Sequence, residues 1–217
     1  MKKQIQSILD ELICTYPALS DCRESILAAY ESLVSCYRQD GTVLVCGNGG
    51  SAADAEHMVG ELMKDYLVKR PVAEAHAQKM RNLDAEGGYE LSAHLQQALR
   101  AISLVSQTSL ISAICNDVNA EMAFAQQVYG YGREGDVLVA ISTSGNAANV
   151  CNAAVVARGL GMTIIGLTGM SGGKLRTVSD IAVCVPADKT YRIQEYHQPI
   201  YHALCAMLEL EFFGRPS

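Results

Sequence analysis

Short β-branched runs alternating with longer helical stretches constrain this chain more than any other feature. A strand that is apolar on both faces forms only where helices cover both sides of a parallel sheet. Five runs qualify: Thr42 to Cys46, Leu110 to Cys115, Asp136 to Ile141, Thr163 to Leu167 and Ile181 to Val185. Each is brief, apolar and closed by Gly, Ser, Asn or Pro. Five strands suffice for a doubly wound α/β sheet. Upstream, Lys2 to Cys36 is helical in period and interrupted at Pro17, with Ser20 and Asp21 placed to cap the second helix. Residues 1–40 are therefore expected to form a helical extension that covers a sheet edge or makes an oligomer contact. Val68 to Tyr89 carries Pro71 and Gly87-Gly88 and reads as a long loop with helical pieces, the kind of insertion that serves as a lid or substrate loop. With no repeat, low-complexity tract or linker, residues 1–217 read as one domain.

Composition narrows the function classes. With 49% hydrophobic and 18% charged residues in 217, the chain has material for a core and is not disordered. No apolar run approaches the roughly 18 residues of a membrane helix. Seventeen Lys+Arg against 23 Asp+Glu, a net charge of −6, argue against a broad electrostatic grip on nucleic acid and leave room for a local phosphate site. The eight cysteines are scattered without a C-x-x-C pair, several of them inside apolar runs such as Val43-Leu44-Val45-Cys46. They read as small buried hydrophobes of a reducing cytoplasm. The amino end lacks an apolar h-region, so a cytoplasmic protein without a secretory signal is expected.

Three loops carry candidate ligand chemistry. Gly47-Asn48-Gly49-Gly50-Ser51 follows a strand and opens a helix, where glycines bring backbone N–H groups close to a ligand and the helix N-terminus favours an anion. No Gly-Lys-Ser/Thr follows and the G-x-G-x-x-G spacing is missing, so no nucleotide cofactor is expected. Ile141-Ser142-Thr143-Ser144-Gly145-Asn146 also joins a strand to a helix, Ala147 to Arg158. N-capping needs one of its three hydroxyls, and three can donate to phosphate oxygens. Asn116-Asp117 would end the Leu110 strand on the same rim, where α/β sheets bind ligands; alone, the pair is an ordinary turn or cap.

Two helices carry candidate ligands for a metal. His57 and Glu61 are one turn apart and share a face. Gln194 and His202 lie two turns apart on the last helix and can converge on the first pair if the helices face across a crevice. Two imidazoles and two oxygens suit Zn²⁺ or another divalent ion in an accessible catalytic site. The competing reading is an exposed polar face. His197 competes for ligand duty, Arg192 and Glu195 are candidates to orient the site, and His76 and His94 read as polar-face residues.

With Gly47 to Ser51 running on through Ala52-Ala53-Asp54-Ala55-Glu56-His57, the hydroxyl loop at 141–146, and Arg192-Ile193-Gln194-Glu195 followed by His197 and His202, almost the whole chain resembles the sugar isomerase (SIS) domain family, in particular its phosphoheptose isomerases. The resemblance implies a five-stranded parallel sheet flanked by helices. It also implies a homotetramer with active sites between subunits, and an aldose–ketose isomerase converting sedoheptulose 7-phosphate to a heptose 7-phosphate. Carried across by residue, Glu61 and His202 would be base and acid, and His57, Glu61, Gln194 and His202 would hold one zinc per subunit. Asn48, Gly49, Gly50, Ser51, Glu61, Asn116, Asp117, Ser142, Thr143, Ser144 and Gln194 would contact the sugar phosphate.

The chain departs from the family pattern where an arginine is expected and Asp65 stands, and where a phosphate-loop serine is expected and Ala147 stands. Lys64, Lys69 and Arg70 are candidates to replace the missing cation. The alternative to an isomerase is a non-catalytic SIS module that binds a sugar phosphate or a protein.

Overall fold

The computed structural model describes Lys3 to Gly214; Lys2, where the first helical stretch was expected to begin, lies outside the described residues. Its centre is a five-stranded, all-parallel sheet of β1 (Val43–Gly47), β2 (Ala101–Ser103), β3 (Val137–Ser142), β4 (Thr163–Thr168) and β5 (Ile181–Cys184), in the order β2-β1-β3-β4-β5. The helices are α1 (Lys3–Thr15), α2 (Arg23–Arg38), α3 (Gly50–Met63), α4 (Glu74–Leu83), α5 (Gly87–His94), α6 (Thr108–Asp117), α7 (Ala123–Tyr131), α8 (Ala148–Gly159), α9 (Gly173–Val178) and α10 (Thr190–Phe213).

Alternation along the strands divides the core in two. Val43, Val45, Val137, Val139, Ile165 and Leu167 meet α1, α2, α3 and α10 on one face. Leu44, Cys46, Leu138, Ala140 and Ile164 meet α7, α8 and α9 on the other. Successive strand side chains point to opposite faces, so continuously apolar strands need both layers. Cys22, Cys36, Cys46, Cys151 and Cys205 are buried as small hydrophobes, Cys184 is partly buried, and Cys14 and Cys115 are exposed.

Four expected strands form within a residue or two of their expected ends. The fifth does not: Leu110 to Cys115 lies in α6, and the edge strand is the three-residue β2. Leu110, Ile111, Ile114 and Val118 recur at helical spacing, so their β-branched content misleads. In place of the expected Ser20 or Asp21 cap, a short 3₁₀ turn, Pro17–Cys22, runs directly into α2 without a side-chain capping bond. Residues 68–89 hold α4 and the start of α5, two helices packed against each other. Among the described residues, no helix is long and apolar enough to cross a membrane.

Candidate active site

In this strand order the connection after β1 runs to β2 on one side and the next connection crosses back from β2 to β3 on the other, and the crevice at that reversal is where open α/β sheets take ligands. The first loop leaves the carboxyl end of β1 and the hydroxyl loop that of β3, so the two glycine-bearing turns face each other across it. Together they line a cavity of about 310 Å³ with Asn48, Gly49, Gly50, Ser51, Ser142, Thr143, Ser144, Ala147, Thr190 and Gln194. Among the described residues, neither Lys nor Arg lines it.

The cradle is built from helix N-termini. Gly49 and Ala147 precede α3 and α8, neither contributing a side-chain cap, and Thr190 opens α10. Three helices thus direct their positive ends at one cavity, an arrangement that holds an anion without a side-chain cation. The hydroxyl loop is locked by Gly145 at φ 66°, where an added Cβ would stand 2.0 Å from the Gly172 carbonyl oxygen. Asn146 reinforces it, its amide donating to the Ser144 carbonyl and its oxygen accepting from the Lys174 backbone. Asn48 has its amide paired in both directions with Asn149 at 2.9 Å, tying the first loop to α8. Asn149 and Thr190 escaped the sequence reading.

Farther along α3 and α10 the histidines meet. His57 Nε2 lies 3.1 Å from Glu61 Oε1 and 3.4 Å from His202 Nε2. The ligand atoms of all three fall within 4.8 Å of one another. Two imidazole nitrogens and a carboxylate oxygen thus come together, and Glu61 Oε2 is buried with no partner among the described residues. This donor set fits a divalent ion. Burial lowers the His202 pKa, reinforced by His57 and opposed by Glu61, which favours the neutral ligand form. Behind His57, Nδ1 lies 3.0 Å from the Tyr201 hydroxyl, which sits 3.4 Å from Asp54 Oδ1. A carboxylate, hydroxyl and imidazole in sequence can fix the tautomer that leaves Nε2 free. Burial raises the Asp54 pKa, against the lowering effects of Tyr201 and His57.

The remaining candidates fall elsewhere. Gln194 sits at the cradle end, its amide nitrogen 2.3 Å from where a Gly50 Cβ would stand. Asn116 and Asp117 end α6 in place of a strand; they are exposed, bonded to each other at 2.7 Å and outside the cradle lining. Their expected place on the rim rested on the strand that is a helix here. His197 is buried and 3.3 Å from the Thr168 carbonyl, so it does not compete as a ligand. Arg192 and Glu195 pair with each other at the surface. Lys69 stands 3.7 Å from Asp65, Lys64 donates to the Asp65 carbonyl, and Arg70 is sealed in the core, so Arg70 is no replacement for the missing cation.

Family models described as SIS domains match residues 101–210 and 18–90. The phosphoheptose isomerase of Rhodospirillum rubrum is 36% identical over 209 residues, 96% of this chain and 97% of that protein. Solved phosphoheptose isomerase structures from Neisseria gonorrhoeae and Francisella tularensis share the fold. The first is 34% identical with a TM-score of 0.71, covering 95% of this chain and 97% of that one. The second is 31% identical with a TM-score of 0.73, covering 96% and 98%. Such identity over nearly the full length leaves one conclusion: the chain belongs to the SIS domain family, among its phosphoheptose isomerases.

Proposed function

We propose that this protein is an aldose–ketose isomerase converting sedoheptulose 7-phosphate to a heptose 7-phosphate. The observation that carries the reading is the shared course of α3 and α10. Their first turns frame the cation-free cradle, and seven residues beyond Gly50 and eight beyond Gln194 they bring His57 and His202 together. At 1.5 Å per residue the two features are about 10–12 Å apart along the helices, the reach of an extended sugar chain carrying its phosphate at the far end.

The phosphate is held by Ser51, Ser142, Thr143 and Ser144 and by backbone N–H groups at the helix starts. Glu61 takes the proton from the carbon beside the carbonyl, and the C–H electron pair becomes the enediol double bond. The proton returns to the neighbouring carbon while His202 moves the proton between the two oxygens. The two Glu61 oxygens divide the work, Oε1 facing His57 and Oε2 unpartnered. A zinc ion held by His57, Glu61 and His202, with Gln194 as fourth donor, supplies Lewis-acid stabilisation of oxygen charge when bound. The reading includes Asn116 and Asp117 as sugar contacts brought in by assembly, a cytoplasmic homotetramer with sites between subunits, one zinc per subunit, and residues 1–217 as one domain.

The test is turnover of a ketose phosphate panel by Glu61→Gln and His202→Ala. A fall of roughly 10²–10⁴-fold in kcat is expected for the base; undiminished turnover in both variants overturns the assignment. One observation favours a second reading, a sugar-phosphate-binding module without turnover: Ala147 leaves the cradle a hydroxyl short of the family pattern. Thermal stabilisation by phosphosugars with no turnover in the presence of Zn²⁺ would select it.

A further inference from the structure

Arg70 and Glu209 form an ion pair at 2.7 Å whose side chains are both 0% exposed. Enclosing two charges carries a large desolvation cost, offset only where every donor and acceptor is used. Here they are used on the candidate catalytic elements. The Arg70 guanidinium donates to the carbonyls of Leu62 at 2.8 Å and Glu61 at 3.3 Å, at the end of α3 where carbonyls lack intrahelical partners. Glu209 accepts from Arg70 Nε and from the backbone N–H groups of Tyr66, Leu67 and Val68 at 2.6 to 2.9 Å. That strap sets the Tyr66 ring 5.9 Å from His202 and tilted 34° to it. Glu209 and His202 are seven residues apart on α10 and share its face.

We propose that the Arg70–Glu209 pair is a positioning device for the acid–base pair. It bolts the end of α3 that carries Glu61 to α10 and, through the 66–68 strap, walls His202, so one buried node sets the separation of the two proton-transfer groups and of their zinc-binding atoms. Arg70 and Glu209 act through Glu61 and Tyr66 and do not touch the substrate. The inference rests on the roles given above to Glu61 and His202.

The test replaces the pair with apolar residues of similar size, Arg70→Met with Glu209→Leu, a change that leaves many buried pairs no less stable. A second variant, Arg70→Lys, keeps the charge facing Glu209 but lacks the planar fork that reaches two carbonyls. Zinc affinity is read by competition with a chromophoric chelator, and the cradle by thermal stabilisation with inorganic phosphate. In the folded variants zinc affinity is expected to fall roughly tenfold, kcat on sedoheptulose 7-phosphate to fall with KM unchanged, and phosphate stabilisation to stay at the wild-type level. Wild-type zinc affinity and kcat in a folded variant overturn the proposal, as does joint loss of zinc and phosphate binding, which marks a general structural role. If the double variant does not fold, Arg70→Lys decides on the same readouts. A wild-type protein that binds zinc but does not turn over this substrate refutes the proposed function and leaves the zinc comparison standing.

Discussion

Lowering the pH should expose the one histidine the fold has sealed. His197 lies on α10 against the end of β4, its side chain buried, Nε2 at 3.3 Å from the Thr168 carbonyl and Nδ1 without a partner among the described residues. Burial pushes its pKa from the ordinary 6.5 down to about 4, against the raising effect of the Thr168 hydrogen bond. Because the folded-state value is the depressed one, the unfolded chain binds the proton first as pH falls. The stability associated with neutral His197 is complete above the unfolded value near 6.5 and is lost progressively toward pH 4. At 1.36 kcal/mol per unit, linkage between these values removes about 2 kcal/mol between pH 7 and pH 5. Urea unfolding of wild type and His197→Gln at pH 7, 6 and 5 isolates this contribution, since glutamine can still donate to Thr168 but does not titrate. Wild type should lose about 2 kcal/mol more than the variant over that interval. Parallel pH profiles for the two proteins would refute the reasoning, because they would mean that the folded state accepts the proton at His197 without cost.

Other outcomes follow from the site. Tyr201→Phe removes the hydroxyl between Asp54 and His57; zinc affinity measured by chelator competition should fall roughly tenfold while circular dichroism stays unchanged. Gly145→Ala forces a side chain into a left-handed position already facing the Gly172 carbonyl, so denaturant unfolding should show a loss of about 1–3 kcal/mol and phosphate should stabilise the variant less. Asn149→Ala breaks the reciprocal amide pair with Asn48 and should weaken inorganic phosphate binding, with stability falling by about 1–2 kcal/mol in the same unfolding assay.

What could be read from residue order was whatever depends on near neighbours along the chain. Val43–Gly47, Val137–Ser142 and Thr163–Thr168 announce themselves because a strand buried on both faces is apolar along most of its length, and the loops that follow β1 and β3 carry glycines and hydroxyls in a few consecutive residues. The edge strand Ala101-Ile102-Ser103 gives no such signal: three residues paired on one side with β1 need no apolar run, and the better-looking segment nearby is a helix. Losing that strand also removed the reason for placing Asn116 and Asp117 on the rim. The groups that order the site were hidden for a different reason. Arg70, in a charged stretch, reads as a solvated cation, and its burial depends on Glu209, 139 residues later. Tyr201 reads as an ordinary helical aromatic until α10 lies on α3 and its hydroxyl meets His57, 144 residues away. A phosphate cradle is a local device, made by a turn and the start of a helix. Orienting an imidazole and a carboxylate takes buried polar groups whose desolvation is offset only by partners from distant segments, so these interactions come into view only once the two helices are packed.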